Sequence, residues 1–248
     1  MMKVVLGFLH SCVIGAQTTF SRDLEPEYLA LSSDGKTVYV NLQDNNAIAI
    51  FDLETLKIKD IKALPAQSWA ATKAGLDVSD KDPTGTINMQ KWDVYGMLQP
   101  DTIEIFKAAD GKEYLITANE GDDKEYEWFG LPSGQKCVWG ETIRGKSISQ
   151  NAVASAGPAQ ADFQNDAKLG RTKFFLFDGR QSLPSGNYSK VYTQGGRGFS
   201  IIDTTTMAIV YDSGSLLEEI LRDSYPAFFN SDNSAGSSQA GNKDTRCG

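Results

Sequence analysis

Residues 27–62 constrain the fold most strongly, because four short runs of apolar and β-branched residues alternate there with tight turns. The turns carry Asp-Gly, Asp-Asn-Asn and Asp-Leu-Glu-Thr, all typical turn sequences. Runs of this length between such turns are typical of antiparallel strands. The stretch therefore predicts a four-stranded meander, the repeating unit of a β-propeller blade. Strands are expected at residues 28–31, 37–42, 47–51 and 56–61.

A second copy of this pattern follows, because Pro100-Asp101 precedes an apolar run and an Asp-Gly-Lys turn, as Pro26-Glu27 does in the first copy. Repetition of this kind favours a propeller or solenoid over a β-sandwich. We therefore expect an all-β fold, a partial β-propeller of about three to four blades with long loop insertions and one short helix. A third, fainter meander is expected at residues 172–177, 190–193, 198–203 and 207–211.

The segments between and after the copies predict insertions and a helix. Residues 65–99 and 121–168 exceed the usual length of a connection, so they are expected to be functional insertions or poorly ordered. Ser215 and Glu218 form a capping-box pattern that predicts a helix start. The apolar face of this helix should pack on a sheet through Leu216, Leu217, Ile220 and Leu221.

The predicted boundaries place the propeller domain at residues 22–230 and a flexible tail, expected to be truncated, at 231–248. Residues 1–16 have the form of an export signal, with Lys3 followed by a mostly apolar run. The alternatives are a buried strand or an N-terminus that begins within a longer protein. His10 is the one histidine of the chain, so export cleavage would exclude Ser-His-Asp, Cys-His and His-ligated zinc sites.

Two covalent features would accompany export. Cys137 and Cys247 would remain after cleavage, and they could form one disulfide or stay as two unrelated thiols. Asn187 lies in the single Asn-X-Ser sequon, within a Gly/Pro/Ser-rich stretch, and is the candidate glycosylation site.

The charge of the chain limits its partners. Against 24 Lys+Arg stand 32 Asp+Glu, a formal net charge of −8, which argues against nucleic acid as a partner. No apolar run is long enough for a transmembrane segment.

Acidic residues recur at equivalent places of the repeat, before the first strand of each copy and after a strand end. Equivalent loops of propeller blades converge on one face, so these carboxylates are expected to meet there. An oxygen-rich site of this kind suits Ca²⁺ or Mg²⁺. The candidate metal ligands are Glu25, Glu27, Asp101, Glu120 and Asp122. A second set, Asp77, Asp80 and Asp82, resembles a calcium loop in composition but lacks the EF-hand spacing. Solvated turns are the alternative for both sets.

Several motifs come in the order of one protein family. They include Asp23-Leu24-Glu25-Pro26-Glu27-Tyr28, Leu42-Gln43-Asp44-Asn45-Asn46, Gln99-Pro100-Asp101, Ala118-Asn119-Glu120-Gly121-Asp122 and Tyr225-Pro226-Ala227-Phe228-Phe229. Over residues 22–248 the chain resembles the choice-of-anchor I family. The resemblance implies a secreted or surface-anchored β-propeller and, in animals, a role in the biomineral matrix with calcium as the ion. It supplies no catalytic residues.

The expected function is that of an extracellular acidic glycoprotein of the cell surface or matrix that binds calcium. Its expected partners are calcium or a mineral surface and other matrix proteins. The alternative is a metal-dependent phosphoesterase, alkaline phosphatase-like or phytase-like, because calcium held by carboxylates can polarise a phosphate oxygen. Cations facing the acidic site would favour the enzyme, and an all-acid face favours the binding protein, which is the preferred interpretation.

Overall fold

The computed structural model describes residues 20–79, 81, 87–128, 137–182 and 186–229. The expected export signal and the expected tail lie outside these residues. The helices are α1 (Phe20–Asp23), α2 (Gln160–Phe163) and α3 (Leu216–Ser224), and short 3₁₀ turns occupy Gly145–Ser147, Gln150–Val153 and Pro226–Phe228. The strands are β1 (Leu29–Leu31), β2 (Thr37–Leu42), β3 (Ala47–Asp52), β4 (Lys57–Ala63), β5 (Ala66–Ser68), β6 (Tyr95–Met97), β7 (Thr102–Lys107), β8 (Glu113–Asn119), β9 (Glu125–Trp128), β10 (Cys137–Gly140), β11 (Thr142–Arg144), β12 (Lys173–Phe175), β13 (Tyr192–Thr193), β14 (Gly198–Asp203) and β15 (Ile209–Asp212).

The first predicted meander is confirmed as a four-stranded antiparallel sheet in the order β1-β2-β3-β4, here called the first blade. Leu29 pairs with Val40, Val40 with Ala49, and Ala49 with Ile61, so these four side chains share one face. The intervening residues Ala30, Tyr39 and Ile48 point to the other face because side chains alternate along a strand.

The second blade has the order β7-β8-β14-β15, and all of its neighbouring strands are antiparallel. Its third and fourth strands are the last two of the predicted third meander, so that meander is not a separate sheet. The other two join different sheets, where β12 pairs with β11 and β13 runs parallel to β6. β14 completes the second blade because it matches the free edge of β8 over the whole length from Gly198 to Asp203. The all-β, propeller-like fold is confirmed, with two four-stranded blades among the described residues.

The two blades pack face to face through a shared core. Ala30, Tyr39 and Ile48 of the first blade form one buried cluster with Ile103, Leu115 and Ile202 of the second blade. Full burial of an aliphatic side chain contributes about 1.5–3 kcal/mol, so this layer supplies much of the free energy that holds the blades together.

The two long insertions fold largely into a second core, which we call the insertion core. Its buried side chains come from both insertions and from the segment that follows: Trp69, Leu76, Val78, Trp92, Val94, Ile148, Val153, Ala156, Phe163, Leu169, Phe174, Tyr188 and Val191. Phe163 and Phe174 contact each other with ring centroids 5.4 Å apart. The Tyr188 hydroxyl donates to the Leu176 carbonyl at 2.9 Å. Much of the described insertions is therefore packed structure, and Trp69 and Trp92 lie buried within it.

Helix α3 begins where predicted, but the capping box of Ser215 and Glu218 does not form, since Ser215 makes no side-chain cap hydrogen bond. The prediction that the apolar face of the helix packs on a sheet is also wrong. Leu217 and Ile220 are 38% and 45% exposed, whereas Glu218 and Glu219 are 3% and 7% exposed. The polar side turns inward because Glu218 forms a buried ion pair with Arg197 at 2.5 Å. Glu219 accepts hydrogen bonds from the Ser215 hydroxyl at 2.8 Å and from Lys73 Nζ at 2.5 Å. Ion pairing thus sets the orientation of this helix.

Candidate functional site

The five candidate ligands of the repeat lie at the edges of both blades. Glu25 and Glu27 precede β1, Asp101 precedes β7, and Glu120 and Asp122 follow β8. The start of β1 lies beside the end of β2, because the Glu27 N–H donates to the Asn41 carbonyl at 3.1 Å. The start of β7 lies beside the end of β8, where Thr102 pairs with Ala118. Stacking of the two blades brings these edges together.

The pKa of Glu27 reflects the negative charges of the other candidate ligands. Partial burial and, after it, the negative charges of four neighbours together raise the pKa of Glu27 to about 6. In order of effect, the neighbours are Asp101, Asp122, Glu25 and Glu120. The structure therefore brings the other four predicted carboxylates within electrostatic reach of Glu27, and all four of these neighbours are negative.

Asp44 is a sixth member that the sequence interpretation missed. It lies in the turn between β2 and β3, and burial together with a hydrogen bond to Glu25 raises its pKa to about 8. The charges of Glu25, Asp122 and Glu27 act in the same direction. Antiparallel pairing of β1 and β2 predicts this position, because a turn after β2 lies next to the residues before β1. Glu25, Glu27, Asp44, Asp101, Glu120 and Asp122 are hereafter the acidic cluster.

Buried amide side chains hold the backbone and one carboxylate of the acidic cluster in place. Gln43 Nε2 donates to Glu120 Oε2 at 3.1 Å, and Asn41 Nδ2 donates to the Asp101 carbonyl at 3.3 Å. Gln99 Nε2 donates to the Asp122 carbonyl at 2.6 Å. These three amides are at most 3% exposed. An amide has both donors and acceptors, so it joins two turns without adding charge.

Gly121 allows the two acidic residues beside it to reach this edge. Its φ is +103°, which L side chains rarely adopt, and a Cβ built at this position would lie 2.2 Å from the Gly195 nitrogen. The turn after β8 therefore packs directly on the backbone of the loop that leads into β14. Any side chain at Gly121 would push Glu120 and Asp122 away from the other blade.

A buried lysine stands next to the acidic cluster. Lys124 Nζ lies 3.1 Å from Asp23 Oδ2 and donates to the Asp23 carbonyl at 2.6 Å, and both side chains are 1% exposed. The Lys124 N–H donates to Glu141 Oε1 at 3.0 Å. Burial nevertheless raises the pKa of Glu141 to about 8, against the opposing effect of Lys124. The contacts of Lys124 thus join α1 to the insertion.

A second lysine neutralises Asp123, which follows the acidic cluster in sequence. Lys173 Nζ lies 3.3 Å from Asp123 Oδ1, and the Thr142 hydroxyl donates to Asp123 Oδ2 at 2.6 Å. Gln194 Nε2 also donates to this carboxylate. Asp123 is therefore a structural residue of the insertion, whereas its neighbour Asp122 belongs to the acidic cluster.

The donor set of the acidic cluster has the chemistry that calcium prefers, but not a ready coordination geometry. Calcium takes six to eight oxygen ligands, and carboxylates are the usual ones. Within the described ranges, no three Asp, Glu, His or Cys side chains lie in an arrangement that could hold a metal ion. The neighbouring charges raise the pKa values of Glu27 and Asp44, and a shared ion would have to draw the carboxylates closer.

The structure describes some of the other predicted site residues but not all of them. Asp77 is 1% exposed and accepts the Asn88 N–H at 3.1 Å, so it organises the loop between β5 and β6. Its predicted partners Asp80 and Asp82 lie outside the described residues. Cys137 begins β10, and Cys247 lies outside the described residues, so their disulfide stays a prediction. Asn187 is exposed beside the fully buried Tyr188, a position that would tolerate a glycan.

No helix in the part of the chain that the structure describes is long and apolar enough to cross a membrane. The chain matches the model of the Choice-of-anchor I domain over residues 8–248.

Two curated proteins and one solved structure are similar to the chain. Mesenchyme-specific cell surface glycoprotein of Strongylocentrotus purpuratus is 30% identical over 224 residues, which is 86% of this chain and 28% of that protein. Gigasin-3a of Magallana gigas is 46% identical over 68 residues, which is 27% of this chain and 23% of that protein. The chain thus spans about a quarter of the curated relatives it matches. A match to hydrazine synthase of Kuenenia stuttgartiensis covers 73% of this chain and 51% of that protein chain, at 15% sequence identity. Its TM-score of 0.19 is too low to indicate a shared fold.

Proposed function

Because the chain belongs to the choice-of-anchor I family, we propose that it is part of an extracellular cell-surface glycoprotein that binds calcium through the acidic cluster. The observation that carries the proposal is the convergence of six carboxyl groups from four separate turns on the boundary between the two blades. A cell-surface location is supported by the name of the Strongylocentrotus purpuratus relative.

The chemistry of the acidic cluster supports a divalent cation as its ligand. Asp44 and Glu27 have raised pKa values because partial burial and the neighbouring carboxylates disfavour their charged forms, so the ion-free cluster retains protons that isolated carboxyls would release. A cation that neutralises these charges competes with those protons. Calcium binding would therefore draw the carboxylates together and release protons near neutral pH.

A role in the mineral matrix follows from the family resemblance. A net charge of −8 would attract calcium to the protein surface, and the carboxylates would present bound calcium to a mineral lattice or to other matrix proteins. A glycan at the exposed Asn187 would face solvent.

Calorimetric titration of the full chain with CaCl₂ at pH 7.5 tests this proposal. The double variant Glu27→Gln with Asp101→Asn removes two members of the acidic cluster, and we expect it to weaken calcium binding at least tenfold. The matched control is Glu54→Gln with Glu104→Gln, which removes two exposed charges of the blades outside the cluster. Equal affinity in the cluster variant, the control and the unaltered chain would contradict calcium binding at this site.

A further inference from the structure

A lysine and an aspartate meet inside the protein, away from solvent. Lys124 Nζ lies 3.1 Å from Asp23 Oδ2, and both side chains are 1% exposed. Within the described ranges, neither carboxyl oxygen of Asp23 accepts a hydrogen bond. The amine therefore lies at hydrogen-bond distance from the carboxyl group without the direction of a hydrogen bond. A buried ion pair is costly unless further hydrogen bonds satisfy its charges, and this carboxyl group lacks them.

The backbone on both sides of this pair is held in place. The Asp23 carbonyl accepts hydrogen bonds from Asn45 Nδ2 at 3.1 Å and from Lys124 Nζ at 2.6 Å, and Asn45 is 2% exposed. On the other side, the Glu141 N–H donates to the Lys124 carbonyl at 3.2 Å, and the Lys124 N–H donates to Glu141 Oε1 at 3.0 Å. Two groups that folding has already brought together react far faster than the same groups free in solution.

A third buried group beside the pair can carry a proton. Glu141 is 2% exposed, and burial raises its pKa to about 8, against the opposing effect of Lys124. At neutral pH this side chain is therefore mostly a carboxylic acid. Such an acid can give a proton to a leaving hydroxyl group and take one from a nitrogen. An amine, a carboxyl group and a proton carrier thus lie in one buried region.

We propose that an intramolecular isopeptide bond joins Lys124 to Asp23, as an amide between Nζ and the side-chain carbon Cγ. One proton passes from the ammonium group to the carboxylate, which gives a neutral amine and a neutral acid. The lone pair of Nζ forms the new N–C bond, the C–OH bond breaks, and the hydroxyl group leaves as water with a proton from the nitrogen. Glu141 carries that proton. The sum of the step is the loss of one water molecule, so no oxidant, reductant or cofactor takes part.

The bond links two segments that carry the acidic cluster. The linked residues are 101 positions apart in the chain, so the bond restricts the unfolded state as a disulfide does, but reducing agents do not break it. Glu25 follows Asp23 by two positions, and Asp122 precedes Lys124 by two positions. The bond therefore holds two turns of the acidic cluster together whether or not an ion is bound.

A neighbouring lysine and aspartate provide the matched comparison. Lys173 Nζ lies 3.3 Å from Asp123 Oδ1, but the Lys173 side chain is 20% exposed. The Asp123 carboxylate also accepts hydrogen bonds from the Thr142 hydroxyl and from Gln194 Nε2. A satisfied carboxylate beside a partly solvated lysine is expected to remain an ion pair.

Intact-mass spectrometry of the folded full chain, reduced and then unfolded in denaturant, tests the proposal. In more than half of the molecules we expect a mass about 18 Da below that of the sequence, which is the mass of one water. Proteolytic digestion should yield a linked pair of peptides that contain Asp23 and Lys124. Lys124→Met removes the amine and should restore the full mass, whereas Lys173→Met should leave the mass deficit unchanged.

Three outcomes would overturn the proposal. The first is an intact mass of the unaltered chain that equals the mass of its sequence. The second is a mass deficit that persists in Lys124→Met. The third is a linked peptide pair that contains Lys173 in place of Lys124. The first and third outcomes are read on the unaltered chain, so they do not depend on whether Lys124→Met folds.

The part assigned to Glu141 is tested by the rate of bond formation. Chains isolated unfolded from inclusion bodies are refolded in EDTA, and their mass is followed with time. Glu141→Gln keeps an oxygen for the Lys124 N–H but removes the acidic proton, so the mass should fall at least tenfold more slowly while circular dichroism recovers at the same rate. An equal rate of mass loss would show that Glu141 carries no proton in this step.

The use of EDTA separates this result from the calcium proposal. Failure of calcium binding leaves the mass deficit in place, and absence of the mass deficit leaves the calcium titration unaffected.

Discussion

The two blades and the insertion core bury apolar side chains with contacts of different range along the chain. In the first blade, each strand pairs with the next strand in sequence through a short turn. In the insertion core, Trp69 belongs to the same buried cluster as Phe163 and Tyr188, which come far later in the chain. The blade is therefore specified by local turn chemistry, and the insertion core by distant segments that meet only in the folded protein.

This difference has a kinetic and an energetic consequence. Closing a long loop costs conformational entropy before any contact forms, so cores made from distant segments fold late and depend on their few largest side chains. The second blade combines both situations. β7 and β8 pair locally, whereas β14 reaches β8 only after the insertion is complete. Stability of the second blade is thus expected to depend on the insertion core.

The largest expected effect comes from truncating the centre of the insertion core. Phe163 is fully buried against Phe174, so Phe163→Ala should lower the free energy of unfolding by about 3–5 kcal/mol. Urea denaturation measures this loss, and hydrogen exchange shows where it acts. We expect β14 amides to lose protection before β2 and β3 amides. Simultaneous loss in both places would show that the blades and the insertion core unfold as one unit.

The next effect concerns the ion pair that joins the loop before β14 to α3. Glu218→Gln leaves Arg197 buried without its ionic partner, which should cost about 3 kcal/mol in denaturant unfolding. Asp223→Asn provides the control, because Asp223 pairs with Arg222 at the exposed surface and its loss should change the free energy of unfolding far less. Equal small losses would mean that the buried pair does not anchor the helix.

A smaller effect is expected at the acidic cluster, which lies at the boundary between the two blades. The pKa of Asp44 is raised from 3.8 to about 8, so the folded state holds a proton that the unfolded state releases. This contribution to stability is complete below about pH 4 and is lost as the pH rises to about 8. Asp44→Asn should therefore flatten the pH dependence of the melting temperature and raise the melting temperature at pH 8 in EDTA.

The control for this pH dependence has the opposite sign. Hydrogen bonds from the Lys112 N–H and the Tyr114 hydroxyl lower the pKa of Asp110, so its ionised form stabilises the folded state. Asp110→Asn should lower the melting temperature at pH 8. A melting temperature of the unaltered chain that does not fall between pH 5 and pH 8 would refute the prediction that Asp44 retains a proton in the folded state.

The smallest expected effect tests the inverted orientation of α3. Leu217→Gln replaces an exposed leucine with another good helix former, so the free energy of unfolding should change by no more than about 0.5 kcal/mol. A loss of several kcal/mol would place Leu217 in a buried contact and would restore the orientation predicted from the sequence.

Much of the acidic cluster could be predicted, because it depends on the repeat. Glu27 and Asp101 precede equivalent strands, and two stacked blades bring equivalent turns to one edge. Asp44 was missed because an Asp-Asn-Asn turn has a sufficient local explanation, and only its burial beside Glu25 reveals a second role. The amide contacts of Gln43 and Gln99 depend on the spacing between blades, which no local pattern contains.

The amphipathic pattern of α3 shows where local reasoning fails. Helix periodicity identifies the face that carries Leu217 and Ile220, and it normally predicts which face is buried. Here Arg197 lies buried under the helix, and an unpaired buried guanidinium costs more than two partly exposed leucines. The position of Arg197 follows from the path of the insertion, which the sequence pattern does not reveal.

By itself, the sequence determined the first blade, the placement of the Pro-acid pairs before β1 and β7, and the start of α3 within a residue. These features depend on interactions between residues close together in the chain, where turn propensity and side-chain alternation decide the outcome. Only the tertiary structure decided that β14 completes the second blade, that the insertions share one core and that α3 turns its glutamates inward. All three features depend on which groups from distant parts of the chain come into contact. A buried contact contributes to stability only when both partners are present, and the local sequence pattern does not show which partners meet.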